Sequence, residues 1–214
     1  MASTLKDIAK ELRSHAPFTI FGALLGIVII VIIVQVGIPR SVSERLFEVF
    51  HPLHVLLSAI VTAGMYRLHS KGRLWATILI GYFGSVGIAT LSDCIIPYLG
   101  ELLLALPHSH AHIGFIEHWW LVNPIAFVGI AIACVWPRTK FPHAGHVLLS
   151  TAASLFHITM ALGEELSLVI MLIVPVFLFL AVWLPCCASD IIFPLLFCKE
   201  VRNGIECCSH QRKA

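Results

Sequence analysis

The sequence predicts an all-α polytopic membrane protein, with six transmembrane helices arranged as a 3+3 inverted-topology repeat. Three observations predict it: an apolar composition, a segregation of basic residues, and a polar motif that occurs twice. Of 214 residues, 58% are hydrophobic and only 12% charged, so the expected solvent is a lipid bilayer. The net charge of +2 reflects loop topology and gives no basic face for nucleic acid.

The elements follow in chain order. Residues 1–16 carry Leu5, Ile8 and Leu12 on one face beside Lys6, Lys10 and Arg13, which predicts an amphipathic segment on the cytoplasmic surface. Pro17 to Pro39 supplies the roughly 20 apolar residues of one crossing. That run is longer than a signal-peptide core and no A-x-A site follows it, so it is expected to be retained. Five more spans are expected at Phe47 to Tyr66, Leu74 to Tyr98, Leu121 to Trp136, His143 to Leu162 and Leu166 to Cys198. The halves are then residues 17–100 and 120–198, separated by a His-rich outer loop at 101–119 and followed by a basic tail at 199–214. Trp119 and Trp120 suit the interfacial belt at the start of the fourth span.

Of the fourteen Lys and Arg residues only Arg40 and Arg45 fall in a loop on one side; the other twelve fall on the opposite side. Basic loops stay in the cytoplasm, so both termini are expected there, in a multi-pass protein of the cell membrane. Five of the seven cysteines lie in or beside spans, which gives no disulfide framework. Cys207 and Cys208 in the tail are assigned no function.

His51-x-x-His54-Val-Leu-Leu-Ser58 recurs as His143-x-x-His146-Val-Leu-Leu-Ser150, a shift of 92 (143 − 51). Ser92-Asp93-x-x-x-Pro97 recurs as Ser189-Asp190-x-x-x-Pro194, a shift of 97 (190 − 93). Polar residues are expensive in a membrane, so their repetition carries more weight than the apolar matches. Two copies with three spans each must enter from opposite sides, a plan common among secondary transporters.

On a helix, His51, His54, Ser58 and Thr62 share one stripe, as do His143, His146, Ser150 and Ser154. His157 extends the second stripe, where the first half has Met65. Pro97 and Pro194 are expected to break their helices and to free the carbonyls of Asp93 and Asp190. Two imidazoles three residues apart with a carboxylate from a neighbouring helix suit a divalent metal, zinc foremost, with iron or manganese as alternatives. The expected sites are His51, His54 and Asp93 near the outer face, and His143, His146 and Asp190 near the cytoplasmic face. Ser58, Ser92, Ser150, Ser189 and His157 are expected as weaker or supporting ligands. His108, His110, His112, Glu117 and His118 in the outer loop could collect metal ions.

The expected function is a transporter or channel for a divalent transition metal, with the lipid bilayer and the ion as partners and room for a homo-oligomer. Ser, Asp and His on membrane helices also resemble the ingredients of alkaline ceramidases and adiponectin-type receptors. That resemblance implies an intramembrane zinc hydrolase acting on a lipid amide or ester. The spacing departs from that family, which relies on an H-x-x-x-H in its last helix. A third reading is a b-type cytochrome with His54, His146 or His157 as axial ligands.

Overall fold

The computed structural model describes residues 2–70, 73–137, 140–162, 168–187 and 193–197, and the side chains at 2–16, 18, 69, 140–144, 168, 187, 195 and 196 lie outside that description. Among the described residues every regular element is helical. Helix α1 spans Ala2–Val36 and α2 spans Arg40–His69. Helix α3, Leu74–Thr90, continues through a π-turn at Leu91–Ile95 into α4, Ile96–Leu103. The short α5, Gly114–Glu117, precedes α6, Trp119–Val135; then come α7, Lys140–Ala161, α8, Leu168–Cys187, and α9, Phe193–Leu196.

Among the described residues four helical stretches are long and apolar enough to cross a membrane: Thr19–Val36, Arg40–Leu68, Leu74–Leu103 and Val169–Cys186. Trp119–Val135 and Gly145–Ala161, where the sequence predicts the fourth and fifth spans, are apolar but shorter. At 1.5 Å per residue, 17 residues reach about 26 Å, somewhat less than the ~30 Å hydrocarbon layer. The third span is longer than the sequence suggests: it passes Tyr98 and ends at Leu103.

The outer helices show why a bilayer suits this chain. Helix α1 exposes Ile20, Phe21, Leu24, Leu25, Val28 and Ile32, and α8 exposes Val169, Leu172, Val176, Leu180 and Leu184. Apolar stripes of that size belong against acyl chains rather than water. Their opposite faces meet: Ala23 and Ile30 of α1 pack with Leu155 and Ile158 of α7 and with Val174 and Leu178 of α8. Gly37, at φ +67°, ends α1. The Ile38 amide donates to the Ile33 carbonyl at 2.9 Å and the Gly37 amide to Val34 at 3.2 Å, the pairing of a Schellman cap that a glycine adopts without strain.

Helices α2 and α7 form the centre. Leu57 meets Gly145, His54 stacks on His146, Phe50 on Phe156, and Phe47 meets His157. Numbers that rise on one helix as they fall on the other make the pair antiparallel. The two helices bearing the repeated His-x-x-His motif thus pack directly on each other.

Small residues let α3 and α6 close on α2, as expected where lipid supplies no hydrophobic drive between helices. A Cβ on Gly129 would sit 2.6 Å from the Leu56 carbonyl oxygen, and one on Gly81 would sit 2.9 Å from Ile130. The Tyr82 hydroxyl donates to Asn123 Oδ1 at 2.8 Å and clasps α3 to α6. Replacing Gly129 with valine should force α6 off the α2 backbone. We expect a loss of about 1–3 kcal/mol, visible as earlier thermal denaturation in detergent, and an unchanged midpoint would contradict this packing.

Candidate metal centre at Asp93

Asp93 is fully buried in the π-turn. Its Oδ2 accepts from His51 Nδ1 at 2.9 Å and from His54 Nδ1 at 2.7 Å. Its Oδ1 accepts from the Ser92 hydroxyl at 2.7 Å and the Ser150 hydroxyl at 3.1 Å. A carboxylate has about four lone-pair positions, and here all four face donors. The sequence reading makes Asp93 a metal ligand beside His51 and His54; the geometry instead makes it the acceptor that orients both imidazoles. Because a carboxylate only accepts, each Nδ1 carries the proton, which leaves each Nε2 as the nitrogen with a lone pair to offer.

The π-turn explains why this carboxylate is so well supplied. In it, the Ile96 amide donates five residues back, to Leu91. The next bond in that pattern would run from residue 97 to Ser92, and Pro97 has no N–H. The Ser92 carbonyl therefore loses its helical partner, and Ser154 on α7 donates to it at 3.0 Å. The π-turn thus frees the Ser92 carbonyl, one residue before the Asp93 position at which ordinary α-helical spacing places the effect of Pro97.

His146 brings the second half to the same place. Its ring stacks on His54 with centroids 4.5 Å apart and planes 21° apart. Cys186 of α8 completes a buried group: the ligand atoms of His54, His146 and Cys186 all lie within 4.8 Å of one another. Around a tetrahedral zinc such atoms sit roughly 3.3–3.8 Å apart, so the group is somewhat looser than a closed ligand shell. The Cys186 thiol also donates to Ser150 Oγ at 3.4 Å, which links it to the Asp93 carboxylate.

His51 sits one turn away, its ring stacked on Phe47 with centroids 5.2 Å apart. A Cβ on Gly114 would lie 2.6 Å from His51 Nε2, so only glycine allows α5 to rest on this imidazole. Ser58 is buried on the same α2 stripe, and its hydroxyl has no hydrogen-bond partner among the described residues. The side chain of His143, together with Ser189 and Asp190, lies outside the described residues. Pro194 stands in the first turn of α9, a position where proline is tolerated.

A second polar layer joins α4 to α7. His157 Nδ1 donates to Glu101 Oε1 at 2.7 Å, with both side chains buried. Glu101 Oε2 accepts the His110 amide at 3.3 Å. Between α4 and α6, His110 and His112 of the loop and Glu117 of α5 form a partly exposed group of possible ligands. Burial holds the His112 imidazole below the ordinary histidine value, against the opposing pull of Glu117. His118 instead faces Glu48 at 3.6 Å, and His108 is exposed.

Sequence reasoning missed Cys186 and Glu101. The shift of 97 that aligns the two aspartates pairs Cys186 with Ala89 (186 − 97), so the repeat gives it no counterpart. Glu101 falls in a loop if the third span ends at Tyr98; the usable signal was a single acid two turns beyond Asp93. Comparisons with protein families, curated proteins and solved structures return no match.

Ser154→Ala should cost about 1–3 kcal/mol by leaving the Ser92 carbonyl unsatisfied. In a Pro97→Ala background, which restores an amide at 97, the same substitution should cost less. Equal losses in the two backgrounds, measured by detergent unfolding, would refute this account of the π-turn.

Proposed function

We propose that the protein carries a divalent transition-metal cation, zinc foremost, across the membrane through a site that its two halves share. The observation that carries this reading is the stack of His54 on His146, equivalent positions of the repeated motif, at 4.5 Å on the central antiparallel helices. A site with ligands from both halves is what an inverted repeat needs if rocking of one half against the other exposes the ion to each side in turn. In this reading the chain has six spans, both termini are cytoplasmic, and the loop between α4 and α6 faces outward.

The ligand set suits that cargo. Two imidazoles and a thiol favour zinc or iron(II) over magnesium or calcium. Asp93 gives His54 the tautomer and orientation a ligand requires, an arrangement frequent at metal sites. Three protein ligands leave a fourth position open, which allows an ion to be handed on.

The intramembrane hydrolase is the second reading, and one observation favours it. Ser150 stands between Asp93 and Cys186, at 3.1 and 3.4 Å, which puts a hydroxyl next to the residues that would hold a zinc, whose chemistry there would be to activate a water. A haem held between His54 and His146 suits the structure less, because stacked rings leave no gap for a macrocycle between them.

Protein reconstituted into vesicles containing a zinc-sensitive dye should admit zinc. His146→Ala and Cys186→Ser should each cut the initial rate about tenfold or more, and Asp93→Asn should weaken metal binding about 10–100-fold. Flux equal to that of protein-free vesicles would overturn transport. Zinc-dependent cleavage of a lipid amide or ester by the same preparation would establish the hydrolase instead.

A further inference from the structure

We infer that His110, His112 and Glu117 form a second, separate site for a divalent transition-metal cation, positioned over His157 at the Glu101 end of the bundle. Its role as an entry station rests on the transport reading above; its ability to bind does not.

The backbone builds the site. The His112 amide donates to the His110 carbonyl at 3.0 Å, a three-residue turn that sets the two rings side by side with centroids 4.5 Å apart. The His110 amide is fixed in turn by Glu101 Oε2. The short α5 then presents Glu117, and one ligand atom from each of the three residues lies within 4.8 Å of the others. His112 Nδ1 and Glu117 Oε2 are 3.3 Å apart. That is long for a charge-assisted hydrogen bond, usually about 2.7–2.9 Å, and close to the roughly 3.3 Å edge of a tetrahedral zinc shell.

With Nδ1 turned to Glu117, His112 Nε2 faces away from that group; it is shielded from solvent and meets no hydrogen-bond partner among the described residues, and the same holds for Nε2 of the fully buried His157. The rings of His112 and His157 lie edge to face with centroids 5.7 Å apart. Neutral imidazole nitrogens left without a partner are costly unless something binds them. From His157 the rings continue through Phe47 at 5.4 Å to His51 at a further 5.2 Å. The outer group therefore stands at the head of a file of rings that ends at the Asp93 centre.

Cobalt(II) titration of the detergent-purified full chain separates the sites, since only the buried one includes a thiolate and its charge-transfer band. The wild type should bind two cobalt ions. His110→Ala/His112→Ala should lose one ion and keep the thiolate band, and Glu117→Gln should weaken that ion about tenfold or more. His146→Ala/Cys186→Ser should lose the band and keep the other ion. Wild-type stoichiometry and affinity in both His110→Ala/His112→Ala and Glu117→Gln would overturn the outer site. Loss of one ion in His110→Ala/His112→Ala, with no change in His146→Ala/Cys186→Ser, would uphold it while removing the buried centre.

Discussion

A carboxylate in an apolar interior is tolerable only when its lone pairs are filled, and the rest of this fold is arranged around filling those of Asp93. Two donors come from α2, one from the π-turn itself and one from α7. Each is a hydrogen bond to a charged group, the stronger kind, and each would leave a costly vacancy if its helix moved away. Lipid provides no hydrophobic force to hold helices together. Polar closure around one acid, backed by the close glycine contacts of α3 and α6, therefore fixes how α2, α3 and α7 sit.

The two halves do not contribute equally. The first supplies the acid and its two oriented imidazoles; the second supplies His146, Ser150, Ser154 and, from a different helix, Cys186. The centre therefore depends on contacts between the two segments that carry the His-x-x-His motif. The Glu101–His157 pair adds a second polar layer, with Glu101 from the first half and His157 from the second. Phe47 touches a histidine of each layer, so an apolar ring lies between the two hydrogen-bonded systems.

Much of this was legible from residues alone. Helices, an apolar exterior, and the convergence of His51, His54 and Asp93 follow from polar residues spaced along apolar runs, because such residues must find one another. The sequence divides the ligands into an outer and a cytoplasmic triad, whereas packing sets His146 of the second against His54 of the first. Residue order says that His54 and His146 are equivalent, but only packing shows that they are in contact. The role of Asp93 could not be read either, since a carboxylate at ligand spacing looks the same whether it faces a metal or the far nitrogen of a ligand. Helix length is a matter of propensity and context, so Glu101 was placed in a loop although the helix carries it inward. Cys186 lacked a repeated partner and could be found only in three dimensions.

The π-turn at Leu91–Ile95 has a consequence for phase. In an uninterrupted α-helix, eight residues at 100° each would set Glu101 about 80° around the axis from Asp93. A π-turn amounts to one extra residue accommodated in a single turn; with Asp93 at its middle, roughly half of that ~100° falls between the two acids and brings Glu101 closer to the azimuth of Asp93. Deleting a single residue there would leave both acids in the chain and turn them further from a common face. The vertical alignment of the two polar layers is thus set by a count of one, the smallest change in length that a polypeptide can make.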